Sequence, residues 1–553
     1  MERLYPRYPV IIGLLTAILL LSVGIGAIMV LGITPLAGRP PSAFFEALNI
    51  DRVVYALKSA TLQASLSSLM SLLLAIPISL AISRRAHWRG IRTLTLLFSL
   101  AMVLPTTVAA MGLLAVWGRQ GLVASACGGI CDFSPYGLHG VILAHLMLNV
   151  PLAVRAFVPL LDAIPEVAWR LSAHLDLRAT ARFRHVEWPA IRNAVPGLAS
   201  LIFLLCFTSF ALVLMLGGGP KVTTLEVEIY SAIRFDFDIV QAAGLSLIQF
   251  VLAALVVGVA ALSGHQLNLA SGASRQHRPM RADLSRFDRL ADIMMLAGAS
   301  ILIGLPVVMV AIQGLNSGLG KLVMRPQFID GLVASIIVST LTALIVSLLS
   351  VLMASAKAGL SLPHRFGSMR GATFLRAVMD QGIMLYLVIP SVVLGTAAFI
   401  FLRASGDVFG YAFIVVILAN SLMALPFAYR LLEPRMTQIY ASHDRIAAHL
   451  GIAGISRMKV LSLPALAPDI GLIAGLSAAL SFGDFGVIAL FANADFRTLP
   501  WLLYQLSGNY AADEAKALAM ILMLLTVVMF VTARYLCSTL PRIFSTERAH
   551  ASA

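Results

Sequence analysis

The sequence predicts an all-α membrane protein of twelve transmembrane helices, built as two six-helix halves that share one orientation. Three observations predict it. Apolar types make up 59% of the 553 residues and charged types only 12%; a soluble domain runs at roughly 45–50% and about 25%. Apolar runs long enough to cross a bilayer recur along the whole chain. Finally, residue patterns in the first half return in the second at a near-constant offset of 275. The composition excludes an ordinary soluble enzyme, and also a disordered chain, which needs low hydrophobicity and high charge.

The elements follow in order. Residues 10–31 form an uncharged run, too long for a signal-peptide core and not followed by a small-x-small cleavage site, which predicts a retained helix. About 20 helical residues cross the ~30 Å of hydrocarbon. By that measure further spans are expected near 57–82, 94–117, 137–160, 194–216, 239–264, 289–313, 330–356, 380–403, 409–432, 468–491 and 514–538. There are 40 Lys and Arg against 26 Asp and Glu, a formal charge of +14. With the N-terminus inside, most of the Lys and Arg fall in cytoplasmic segments, which places both termini in the cytoplasm of a multi-pass inner-membrane protein. The positive charge is then a topology signal towards membrane lipid, and no nucleic-acid partner is expected. Cys206 and Cys537 lie in or beside spans as small apolar fillers. Cys127 and Cys131, in an outer CGGIC segment, read as a disulfide or as free thiols, since no further ligands for a metal accompany them.

The repeat divides the chain. LAHLMLNVPLAVR (143–155) matches LANSLMALPFAYR (418–430), and Pro189/Pro464, Phe207/Phe482 and Phe210/Phe485 keep the same offset. Thr224-Leu225 and Tyr230 match Thr498-Leu499 and Tyr504 at 274, and VLPTTV (103–108) pairs with VIPSVV (388–393) at 285. Six spans per unit is an even number, so the halves are parallel and related by an axis along the membrane normal. The expected organisation is a first helix and outer loop (1–56), a first repeat domain (57–264), a basic cytoplasmic linker with the seventh helix (265–329), a second repeat domain (330–538) and a tail (539–553).

Two cytoplasmic loops of about 30 residues, 165–197 and 442–471, stand at the same place in each half, where most connections have two to eight residues. Each holds a short amphipathic stretch, a break, a basic stretch and a proline before the next span. In the second, Arg445 to Leu450 can form a helix that stops at Gly451, because glycine accepts positive φ without a Cβ clash. A single such loop is compatible with an arginine-held interfacial helix on anionic lipid. Two at matched positions suit helices that pass a push from a cytoplasmic partner to the spans.

Both loops resemble the cytoplasmic loop of binding-protein-dependent ABC importer permeases, whose pattern is E-A-A-x3-G-x9-I-x-L-P. In the second loop Ala447, Gly451, Leu463 and Pro464 fit, with Leu461 for the isoleucine and Arg445 at the glutamate position. In the first, Pro189 is identical, Arg170 stands at the glutamate position and Asp176 replaces the glycine; aspartate tolerates left-handed geometry better than most residues. The resemblance implies a type I importer permease, with coupling helices at 170–176 (Arg170, Leu171, Ser172, Asp176) and 445–451. It further implies two copies of a cytoplasmic ABC ATPase docked on them and a periplasmic substrate-binding protein on the outside. The segments WGRQG (117–121), SFALVLMLGGGPKVTTLEVEIY (209–230) and FGDFGVIALFANADFRTLPWLLYQLSGNY (482–510) resemble the fused permeases of bacterial thiamine/thiamine diphosphate importers, with iron(III) importer permeases next. The substrate expectation rests on that resemblance alone.

The chain lacks a phosphate-binding loop. Gly320-Lys321 is followed by Leu322, and Leu315 stands where the first glycine belongs. No cofactor and no enzymatic activity are expected in this chain, and ATP with magnesium belongs to the partner ATPase. A 6+6 ion-coupled carrier is the rival class, and it needs ionisable groups at membrane depth. His145, whose counterpart is Asn420, is the most central candidate, either as a proton relay or as a hydrogen-bonded packing residue. Gly217, Gly218 and Gly219 read as a turn after a helix or a gate. Asp484, opposite Ser209, reads as a pathway residue facing a cation or as the cap of a broken helix. Tyr230, Trp501, Tyr504 and Tyr510 read as interfacial belt aromatics ahead of substrate stackers.

Overall fold

The computed structural model describes residues 7–33, 48–119, 121–126, 134–217, 219, 222–262, 285–361, 370–404, 406–452, 454–508 and 511–551. Cys127, Cys131, Gly218, Tyr510 and most of the expected linker lie outside the described residues, as do the side chains of Arg445 and its neighbour Asp444. All regular structure among the described residues is helical, which satisfies every backbone group within the segment where hydrocarbon offers no hydrogen-bond partner. Ten helices are long and apolar enough to cross a membrane, and the count rises to twelve when two bent pairs each form one span.

The expected continuous spans near 94–117, 194–216, 380–403 and 468–491 are broken. The first is two helices, Arg89–Ala101 and Thr106–Trp117, parted at Pro105. Its counterpart is Arg370–Val388 and Ser391–Arg403, parted at Pro390 and bent by 94°. Proline disfavours helical geometry in the residue before it, so each helix restarts just after the proline. Val195–Phe207 and Ala211–Leu216 part at 208–210, and Leu463–Phe482 and Gly486–Phe491 part at 483–485, the same register in each half.

Packing repeats as the sequence does. Ile50–Arg84 lies against Leu138–Asp162 in the first half, and Pro326–Leu360 lies against Ala412–His449 in the second. One set of contacts crosses between halves. Helix Arg7–Ile33 packs on Pro326–Leu360, Arg370–Val388 and Ser391–Arg403, while Arg286–Leu315 packs on Thr106–Trp117 and Ile50–Arg84. Small residues permit this close approach: a Cβ at Gly13 would sit 2.3 Å from that of Ala356. Polar ties seal both crossings, with Tyr386 Oη donating to Leu20 O at 2.7 Å and Gln313 Nε2 to Ala115 O at 3.1 Å. The residues left exposed are lipid-type, such as Leu15, Leu19 and Leu344.

Candidate functional site

The two long loops fold alike from unlike sequences. Helix Glu166–His174 ends at Asp176, whose φ is +45°, and Ala412–His449 ends at Gly451, whose φ is +64°. In each, the residue after the left-handed one donates back five positions. Leu177 N–H reaches Ser172 O at 3.0 Å, and Ile452 N–H reaches Ala447 O at 2.9 Å. This six-to-one return contact is that of a glycine-type helix stop, and Asp176 adopts it without being glycine. Beyond the stop, π-helical turns occupy Phe183–Glu187 and Met458–Ser462, again in register. Each precedes a helix with proline at its second position, Pro189 and Pro464. A proline nitrogen cannot donate to the turn before it, and a π turn absorbs the mismatch.

Each stop presents the same face. Leu171 and Leu175 are 57% and 61% exposed, and their counterparts Ile446 and Leu450 are 57% and 68% exposed. Ser172 and Ala447, one position later than Leu171 and Ile446, are buried. Arg170 is exposed and pairs with Glu166 one turn earlier. Pro464 and Pro189 are both exposed.

The anchors differ. In the first half, Glu187 is fully buried and accepts from Arg84 Nη2 at 2.8 Å. Arg84 also reaches Asp292 at 3.4 Å, and Arg85 reaches Asp292 at 2.9 Å. These pairs tie the loop, the end of Ile50–Arg84 and the start of Arg286–Leu315 into one ionic cluster. The second-half counterpart of Glu187 is Ser462. There Arg457 lies 4.1 Å from the Tyr440 ring centroid, and the loop helix continues unbroken from its span.

A second feature lies at the broken spans. Phe210 and Phe485, repeat-equivalent residues, stack on each other with centroids 5.4 Å apart. Equivalent residues that touch must lie beside the axis relating the halves. Each phenylalanine contacts the tyrosine of its own half in matching fashion: Phe210 and Tyr230 at 5.3 Å, Phe485 and Tyr504 at 5.3 Å. Trp501 stacks on Phe485 at 5.9 Å, and Arg234 lies 5.7 Å from the Trp501 centroid while donating to Ala492 O at 3.1 Å. The belt expectation is therefore corrected for Tyr230 and Trp501, which are buried between the halves. Offset-stacked and tilted ring pairs of this kind add about 0.5–1.5 kcal/mol each beyond burial.

Asp484 sits in one of the breaks. Its Oδ1 accepts from Gly486 N–H at 3.3 Å, capping the resumed helix, and its Oδ2 has no partner. Glu226, one residue into helix Leu225–Arg234, is fully buried. Its Oε1 accepts from Gln249 Nε2 at 3.0 Å, its Oε2 has no partner, and it lies within electrostatic reach of Asp484. Sequence reasoning passed over Glu226. The available signal was its position in a matched segment, since Pro500 stands opposite it in the second half.

His145 is buried, its Nδ1 3.0 Å from Ser67 Oγ. Its counterpart Asn420 donates to Ser481 Oγ at 2.9 Å, and Ser481 Oγ donates to Thr342 Oγ1 at 3.1 Å. Ser67 and Thr342 are themselves equivalent: the first half joins the two helices directly and the second joins them through Ser481, each such bond worth about 0.6 kcal/mol in a membrane. Cys206, expected as an apolar filler, is buried and also accepts from Asn149 Nδ2 at 3.2 Å. Gly217 ends helix Ala211–Leu216, and Gly219 turns at φ +82°.

No family model matches the chain. Curated relatives do, over nearly its whole length. The thiamine transport system permease protein ThiP of Brucella abortus (strain 2308) is 35% identical over 530 residues, 95% of this chain and 94% of its own length. That of Escherichia coli (strain K12) is 36% identical over 472 residues, 85% of this chain and 86% of its own. That of Haemophilus influenzae (strain ATCC 51907) is 33% identical over 470 residues, covering 84% and 86%. With its repeated all-helical membrane fold and paired loops, the chain belongs to the thiamine transport system permease family.

Proposed function

We propose that this chain is the permease subunit of an ABC importer that carries thiamine or its phosphates inward across the inner membrane, using ATP hydrolysed on a separate subunit. The observation that carries the mechanism is the pair of in-register helix stops with matched exposed apolar side chains. Two copies of one ATPase need two equivalent docking faces, and Leu171/Leu175 and Ile446/Leu450 supply them. Arg170, Ser172 and Asp176 in one loop, and Arg445, Ala447 and Gly451 in the other, form the docking helices; Pro189 and Pro464 stand where each loop enters its next span. A soluble binding protein delivers substrate on the outer face, with both termini of this chain in the cytoplasm. Closure of the ATPase dimer draws the loops together, and the broken helices at the axis let the halves part on the outer side. Gly217 and Gly219 stand beside that opening.

The test is uptake of labelled thiamine by vesicles holding the complete complex. Uptake is expected to persist when the proton gradient is collapsed with ATP maintained, and to stop when ATP is removed. Uptake that dies with the gradient would refute the ATP-driven reading. Uptake of iron(III) in place of thiamine by the same complex would refute the substrate.

A further inference from the structure

We propose that the aromatic cluster at the inter-half axis, with Glu226 and Asp484, is a transit site for a flat aromatic solute carrying a fixed positive charge. The inference rests on the importer reading above and assigns its substrate contact. Three observations converge on it. First, Phe210 and Phe485 meet at the axis between the halves, so any path running between them passes these rings. Second, two carboxyl groups from opposite halves stand near each other there, each with one oxygen lacking a partner, and Glu226 has no solvent exposure at all. Buried ionisable groups without a full set of partners are costly and persist where they face a path or a partner charge. Arg234, on the same helix as Glu226, is turned to the Trp501 ring and Ala492 O. Third, Glu226, Tyr230 and Arg234 are spaced by four along one helix and share a face. That face meets the second half, so carboxylate and ring are offered together.

The symmetry of the cluster sharpens the assignment. Phe210/Phe485 and Tyr230/Tyr504 are two-fold related, but Glu226, Asp484 and Trp501 stand opposite Pro500, Ser209 and Val227. The charge and the largest ring are therefore the asymmetric parts. A two-fold site suits a symmetric ion. An asymmetric one suits a molecule with a cationic aromatic ring at one place and a different group at the other. A ring cation gains from aromatic faces and carboxylates together. A hard metal cation takes oxygen ligands and gains nothing from phenylalanine and tryptophan. Thiamine, with a thiazolium and a pyrimidine ring, has the required chemistry.

The experiment uses the full complex in vesicles with its ATPase and binding protein, and labelled thiamine as the probe. Glu226→Gln and Asp484→Asn, tested separately, keep side-chain shape and remove charge from opposite halves, so the reading does not depend on one variant's folding. Assembly with the ATPase is measured alongside. The KM for thiamine uptake is expected to rise about tenfold or more in each, as expected for loss of a charged contact. Trp501→Leu is expected to raise it several-fold. Lipid-facing Phe401→Leu serves as the control. Wild-type KM in both carboxylate variants overturns the site while leaving the importer reading intact. A wild-type complex that takes up no thiamine overturns the substrate reading itself, whatever the variants do.

Discussion

The two cytoplasmic loops reach one geometry by different means. The first is a separate short helix, set off from its span at 163–165 and held by the buried Arg84–Glu187–Asp292 cluster. The second is the end of a 38-residue helix that runs out of the membrane through Pro426 and Pro434. A continuous helix fixes its tip through its own backbone hydrogen bonds. A detached one needs side chains to hold it, and the ionic cluster does so by reaching two other helices. The lesson is that the docking face is the shared quantity and the support beneath it is free to vary. The left-handed stop shows the same freedom: aspartate in one loop, glycine in the other.

The largest test breaks the stop itself. Gly451→Pro demands φ near −65° where the chain has +64°. It is expected to abolish ATP-driven uptake and ATPase co-purification while membrane insertion persists. Gly451→Asp, which copies the first loop, is expected to retain both, so the pair separates backbone geometry from residue identity. If Gly451→Pro couples normally, the stop is not a docking element.

Next comes the anchor. Removing one partner of a buried ion pair costs roughly 3–5 kcal/mol. Glu187→Ala is therefore expected to lower the thermal stability of the purified protein and weaken ATPase association. Ser462→Ala, at the equivalent place in the second loop, is expected to change little. Equal losses from the two would show that the anchors are not different after all. The smallest expected effect is Asp176→Gly, which relieves a left-handed aspartate and is expected to raise stability by about 1 kcal/mol or less without changing uptake.

Much of this was legible from residues alone. The offset of 275 aligned Asp176 with Gly451 and Phe210 with Phe485, and the structure shows positive φ at the first pair and ring contact at the second. Of the four helix breaks, only the one at Asp484 has a signal in the sequence, as one of two readings of that residue. Pro105 and Pro390 sit inside apolar runs, and hydropathy sums over a window without registering where the helix stops. Tyr230 and Trp501 were misplaced for a related reason: an aromatic residue near the end of a span looks the same whether it faces lipid headgroups or another helix.

By itself the sequence determined that the chain crosses the membrane many times, that it is written twice and that it carries no G-x4-G-K-[ST] motif. Those properties reside in composition, period and short motifs. Only the tertiary structure decided that each leading helix crosses to the opposite half, that Phe210 meets Phe485, and that Glu226 comes near Asp484. A soluble helix advertises its buried face through an apolar stripe. A membrane helix is apolar all round, so which face meets which neighbour is settled by small residues, hydrogen-bonded ties and shape across hundreds of residues.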